Sequence, residues 1–549
     1  MALDHIGCHF LCSKLLSSTK IATMKKLFVF LFLLINLNAF AQNSYWQQQV
    51  DFQIDVALND IEKTLNGNAK ITYKNNSPTT LDFIWFHIYP NAYKQETTAM
   101  FQQIKSDPSR KKKMANYTYG SIDGLSFKQD GKVATVEPHN NPQYIDVVKV
   151  LLPNPLKPGE TANITTDFSV KLPSYFSRSG FADGEFMVTQ WYPKPAVFDV
   201  NGWHEFPYLD MGEFYNDYGN YKVNITLPSA YVVGATGVLK TEDELSQYKT
   251  IGAKNNAERN DKPTLYMAKS NATKTLSYEM ENVPDFAWFA DKNFVIQYDT
   301  AKLASGKVVD VFTYFHNKKK TIWTASVDYT KDALKKYGNW IGEYEYPVVQ
   351  VVEGPKNNSS GGMEYPTITL ITSPDAKPAS LDAIITHEVG HNWFMSILGS
   401  NERMHTWQDE GLNTYFQFRY EAEKYKTNAV FGNAIPENIK GLPADQFLAS
   451  VYNAMINVPI KPAIDTPADK FASAQDYSMT SYVKTALWLY ILESNVGREK
   501  MDQAFKTYFN DWKNKHPSPN DLKASFEKSL GVNLDDYFKL LNKEGDFKN

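Results

Sequence analysis

Apolar and polar residues alternate through most of the first half of this chain. Asp51–Leu58, Asn68–Tyr73, Ala162–Phe168 and Tyr221–Leu227 each turn every second side chain to one face. That period of two predicts half-buried strands. Asn154-Pro155 and Pro158-Gly159 read as turns between them, and the polar stretch 252–262, GAKNNAERNDK, reads as an exposed loop. From about residue 283 the texture changes. Short strands are predicted at Phe294–Tyr298, Val308–Phe312, Pro347–Val352 and Thr367–Ile371, with a helical pattern over Thr321–Trp340. Helices are then expected at about 379–398, 408–425, 478–495, 498–512, 519–529 and 533–542, and the Pro-rich stretch 426–477 reads as irregular. Runs of strands followed by runs of helices argue for an all-β N-terminal domain, 42–282, followed by an α+β domain, 283–549.

Composition changes this picture little. A chain of 549 residues is too long for one ordinary core and implies a multidomain protein. With 43% hydrophobic and 14% aromatic residues it is a well-packed globular chain. A net charge of −4 gives no electrostatic case for nucleic acid or an anionic membrane as partner. The basic run Arg110–Lys113 reads as a solvated loop.

The N-terminus reads as a leader. Met24-Lys25-Lys26, the apolar run LFVFLFLLINL and Ala39-Phe40-Ala41 have the layout of a signal peptide that starts at Met24 and is cleaved after Ala41. The run is short for a membrane span, so no stable anchor is expected after cleavage. The expected location is periplasmic or extracellular. Both cysteines, Cys8 and Cys12, precede the cleavage point, so the mature chain is expected to use no disulfide.

The chemistry concentrates between Ile384 and Phe416. His387-Glu388-x-x-His391 puts two imidazoles one helical turn apart on one face, where they can share a metal ion. Glu410 follows after eighteen intervening residues and can supply a third ligand if a second helix returns beside the first. Three protein ligands and one open position are what hydrolytic Zn²⁺ requires, so one zinc per chain is expected. Glu388 would face the metal-bound water. Asp409 and Asn413 are candidates to orient the ligands.

These motifs resemble the aminopeptidase N family of gluzincin zinc metallopeptidases. A metzincin pattern is excluded because Phe394 and Ile397 stand where its Gly and third His would be. Gly361-Gly362-Met363-Glu364-Tyr365 is similar to the family's G-x-M-E-N motif, with Tyr365 for Asn. By that resemblance Glu364 holds the substrate's free α-amine on an edge strand, with Gly361, Gly362 and Met363 beside the peptide. Tyr482-Val483-Lys484-Thr485-Ala486 resembles Y-x-K-G-A, which implies that Tyr482 donates to the oxyanion. Thr189-Gln190-Trp191-Tyr192 falls where the family has T-Q-x-E, implying a substrate-contacting Gln190, with Tyr192 in place of a second amine-binding Glu. The resemblance implies a thermolysin-like catalytic domain, peptide substrates, and a short form without the C-terminal helical domain of the longer relatives. Two other readings stand beside it: a peptidase of relaxed end-specificity and a catalytically idle peptide-binding scaffold.

Overall fold

In the computed structural model, residues 45–107, 117–268, 272–318, 321–357, 360–429 and 435–547 are described. The expected leader, Cys8, Cys12 and the Arg110–Lys113 run lie outside the described residues. The alternation seen in the sequence becomes a nine-stranded sheet. At its centre Gln49–Asn59 pairs antiparallel with Thr64–Lys74 and parallel with Gly219–Pro228, so that Phe52 meets both Ile71 and Tyr221. Val50, Phe52, Ile54, Val56 and Leu58 are buried, while the polar residues Gln53, Asp55 and Asn59 between and beyond them are exposed. Thr161–Lys171 extends the sheet beyond Thr64–Lys74. Two four-stranded sheets and a two-stranded one, Phe198–Asp199 with Gly202–Trp203, complete this region among the described residues. One four-stranded sheet contains Leu81–His87 and Val147–Leu156, and the other contains Gly180–Ala182, Glu185–Val188, Trp288–Asp291 and Val232–Ala235.

That last sheet places Trp288–Asp291 with the N-terminal strands, so the change of sheet falls between Asp291 and Phe294 rather than at 283. The region is also β-rich rather than all-β. Glu242–Glu258 is a helix, where most of 252–262 had been expected as loop. Its first turn carries Glu242, Asp243 and Glu244, which suit the positive end of the helix dipole. Gly252 lets it lie on Tyr298, because a Cβ there would come within 2.6 Å of that side chain. Asn255, which looks like a loop residue in sequence, is buried and donates to Ile296 O at 2.9 Å.

The second sheet has five strands, in the order Phe294–Lys302, Val308–His316, Val348–Glu353, Ile368–Ile371, Gly362–Tyr365. Its three middle strands run parallel and both outer pairings are antiparallel. Gly362–Tyr365 is an edge strand, as the G-x-M-E resemblance implies. Helix Pro378–Gly390 packs on this edge and against helices Ser326–Trp340 and Glu410–Lys424. It stops eight residues short of the expected 398. Asn392 turns its side chain back to Val389 O at 2.9 Å and accepts the Thr367 N–H at 2.9 Å, and Met395 takes φ 125°. The stretch 426–477 is less irregular than expected, since Ala444–Met455 is a helix that buries Phe447, Leu448, Val451 and Tyr452. No helix among the described residues is long and apolar enough to cross a membrane.

Candidate active site

The i, i+4 spacing does what the sequence requires of it. His387 and His391 leave the end of helix Pro378–Gly390 on one face, and Glu410 opens helix Glu410–Lys424 alongside. Their atoms form a small triangle. His387 Nε2 lies 3.1 Å from His391 Nε2, and Glu410 Oε2 lies 3.3 and 3.4 Å from the two nitrogens. Both Nδ1 atoms are committed as donors. His391 Nδ1 faces Asp409 Oδ1 at 2.6 Å and Phe394 O at 3.2 Å. His387 Nδ1 faces Gln417 Oε1 at 2.7 Å, and Gln417 Nε2 in turn donates to Glu421 at 2.8 Å. Each neutral imidazole therefore turns its Nε2 lone pair toward the same point as the carboxylate oxygen. Three electron-rich atoms in such contact repel one another unless a cation sits among them. Tetrahedral zinc with ligands at ~2.0–2.1 Å needs ligand–ligand edges of roughly 3.3–3.4 Å. The triangle fits that ion.

Glycines and one asparagine allow this packing. A Cβ on Gly390 would come within 2.1 Å of Asn413 Oδ1, and one on Gly411 within 2.3 Å of Thr485 Cγ2. Thr485, which departs from the resemblance, fills the space beside Gly411. Asn413 donates to His387 O at 2.7 Å and accepts from the Tyr337 hydroxyl at 2.8 Å. It locks the two helices together and does not touch the ligand atoms' rings, whereas Asp409 orients His391 directly.

These ligands lie in a cleft of about 370 Å³, which Gly361, Gly362, Met363, Glu364, Glu388, Gln417 and Tyr482 also line. Gly362 is required there, since a Cβ would sit 2.4 Å from Glu388 Oε1. Glu388 is buried, and burial pushes its carboxyl up to about 8. Glu364 brings an oxygen within 4.8 Å of ligand-type atoms of both Glu388 and His391. Tyr482 lies in a π-helical turn, Met479–Lys484, a distortion common at functional sites. Its ring stacks on His387 at 5.8 Å and its hydroxyl donates to Glu410 Oε1.

Gln190 is the one predicted site residue that the cleft does not receive. Its amide donates to Asp285 Oδ2 at 2.7 Å and accepts from Lys194. Tyr192 donates to Asp285 Oδ1 at 2.7 Å, so the position expected to carry a carboxylate spends its hydroxyl on one instead. Gln190 lines a separate cavity of about 30 Å³, which shares Glu213, Met363 and Glu364 with the cleft.

Three residues escaped the sequence reading. Gln417 lies two turns beyond Glu410 on the same helix face, and that seven-residue spacing could have found it. Glu213 lines the cleft and is held by a bidentate pair with Arg178, at 2.6 and 3.0 Å. Glu402 is buried, has an oxygen within 4.8 Å of both Glu364 and Asp409, and its Oε2 has no hydrogen-bond partner among the described residues. No periodicity marks either glutamate, because each lies in a loop.

Residues 325–540 match the Peptidase family M1 domain. A leucine aminopeptidase 2 from Yarrowia lipolytica is 26% identical over 194 residues, covering 34% of this chain and 29% of that protein. The chain thus spans about a third of the length of that curated relative. Among solved structures, an M1 zinc metallopeptidase mutant from Deinococcus radiodurans superposes with a TM-score of 0.60 at 14% identity, covering 90% of this chain and 94% of the other. The same Deinococcus protein, solved with a Tyr-Ser-Ala substrate bound, gives a TM-score of 0.59 at 15% identity, again covering 90% of this chain and 94% of the other.

Proposed function

We propose that the chain, whose residues 325–540 match the Peptidase family M1 domain, is a zinc metallopeptidase of the aminopeptidase N-like gluzincins that removes N-terminal residues from peptides. The observation that carries this reading is the ligand triangle of His387, His391 and Glu410 with the edge strand Gly362–Tyr365 beside it. Zinc held by these three residues would supply a water of lowered pKa and a Lewis acid for the scissile carbonyl. Glu388 takes the proton from the attacking water and returns it to the leaving amine. Tyr482 donates to the oxyanion, and Asp409 and Gln417 keep the two ligand imidazoles oriented.

The end of the substrate is set by charge. Glu364, on the edge strand, receives the α-ammonium while the peptide backbone extends along that strand. Tyr192 supplies no negative charge; Glu213, paired with Arg178, and Glu402 are carboxyls that line the adjoining cavity. An unblocked peptide and its N-acetyl form, compared in wild type and Glu364→Ala, test this. Glu364→Ala should lower kcat/KM on the free peptide by about 10²-fold, from one-sided loss of a buried ion pair, and leave the blocked peptide almost unchanged. Equal losses on both would remove the exopeptidase reading. Peptides are thus the substrates of this reading. It includes export: the n-region at Met24–Lys26, the apolar run and Ala39-Phe40-Ala41 support a mature chain that starts at Gln42. Mass spectrometry of the exported protein tests that start, and a mature chain that retains Cys8 would contradict it.

A further inference from the structure

A second cluster of metal-binding side-chain types lies away from the cleft, where the N-terminal strands meet the catalytic sheet. Glu185 begins the strand Glu185–Val188 and Asp291 ends the strand Trp288–Asp291, two strands paired antiparallel in the N-terminal region. His316 ends Val308–His316 and Glu353 ends Val348–Glu353, parallel neighbours in the catalytic sheet. Four strand ends thus gather three carboxylates around one imidazole. The carboxylates are buried: Glu185 is 2% exposed, Asp291 1% and Glu353 1%. His316 Nε2 lies 3.5 Å from Asp291 Oδ2 and 4.0 Å from Glu185 Oε2. On the other side of the ring Glu353 Oε2 faces Nδ1 at 3.7 Å and accepts the His316 backbone N–H at 2.8 Å.

Three observations set this cluster apart from an ordinary ion pair. The first is charge: among the described residues the cations that face the three buried carboxylates are His316 and Lys318, and Lys318 Nζ is already on Glu353 Oε1 at 2.8 Å. The second is an orphaned atom. Glu185 Oε1 has no hydrogen-bond partner among the described residues, although a buried carboxylate oxygen normally finds one. The third is orientation. The ring presents its Nε2 edge to Glu185 and Asp291, while Glu353 Oε2 stands on the Nδ1 side at 3.7 Å, beyond direct hydrogen-bond reach. A divalent ion beside a neutral His316, together with Lys318, balances the three negative charges. The edge from Nε2 to Asp291 is close to the roughly 3.3–3.4 Å that tetrahedral ligands require, and the ligand atoms of all three residues lie within 4.8 Å of one another.

We propose that His316, Glu185 and Asp291 bind a second divalent metal ion of the zinc class, which ties the N-terminal strands to the catalytic sheet. One imidazole with two carboxylates favours zinc or manganese over calcium or magnesium, whose sites are built from oxygen alone. The tie bears on the cleft. Glu185–Val188 pairs with Gly180–Ala182, the strand that follows Arg178, and Arg178 and its partner Glu213 both line the cleft.

The test is zinc counted per folded chain after chelation, reloading with Zn²⁺ and removal of free metal. Wild type is expected to hold two. Glu185→Gln keeps the shape of the side chain and removes its charge, and it should hold one, as should His316→Ala. A His387→Ala/His391→Ala chain, which lacks the catalytic ligands, should also hold one, and its Tm should rise on addition of zinc. This arm stands whether or not the chain is a peptidase, and it decides the matter should Glu185→Gln fail to fold. One zinc in wild type, with none in the His387→Ala/His391→Ala chain, would overturn the proposal. So would equal zinc in wild type and Glu185→Gln, the outcome for a cluster neutralised by a proton on Glu185.

Discussion

His391 and His316 keep similar company. Each has a carboxylate on its Nδ1 side, Asp409 at 2.6 Å and Glu353 at 3.7 Å, and each turns Nε2 toward further acidic oxygen. They differ in how the chain brings the partners together. The catalytic group is local: two ligands share one helix face, and the third opens the next helix, directly after Asp409, which orients His391. The group at the seam takes one residue from each of four strand ends in two different sheets. A site built on one helix and its neighbour is fixed by local spacing. A site built at a seam exists only once both sheets have formed and docked.

That difference accounts for what could be read from the sequence. The strands around Ile54, Ile71, Ile164 and Val223 follow from alternation alone, because one face of each is buried. The metal ligands follow from helical spacing. The helix Glu242–Glu258 did not, because its stabilising contacts are tertiary: Gly252 against Tyr298 and Asn255 on Ile296 O. Glu213, Glu402 and Glu185 were missed because no local period marks them. Gln190 was placed on the substrate by resemblance, and the structure spends its amide on Asp285 and Lys194.

The comparison can be sharpened by removing chemistry without removing metal. Glu388→Gln deletes the general base and no ligand, so it should keep its zinc and lose roughly 10²–10⁴-fold in kcat. Loss of zinc together with turnover would show that Glu388 is part of the metal site. Gly362→Ala comes next. A Cβ 2.4 Å from Glu388 Oε1 must displace that carboxylate, and a misplacement of about 1 Å can cost about 10²-fold. Its kcat should fall with zinc content unchanged, and full activity would show that Glu388 has room to spare.

Asp409→Ala probes the partner behind a ligand. It should weaken zinc binding by about 10–100-fold, measured by competition with a chelator, because His391 loses the acceptor that orients it. Undiminished affinity would mean that Phe394 O alone fixes the ring. The smallest effect belongs to the seam. Glu185→Gln should lower Tm in the presence of zinc by about 1 °C for each kcal/mol lost in a chain of 549 residues, and leave kcat within twofold of wild type. A higher Tm in that variant would show that the buried carboxylate is only a burden.

The most direct measurement of the central claim is the rate at which the purified chain releases the first residue of an unblocked tripeptide, followed through chelation and the return of zinc. The account predicts that release stops when the metal held by His387, His391 and Glu410 is removed and resumes when zinc is restored. Release that continues at the same rate in a chain shown to hold no metal would contradict it.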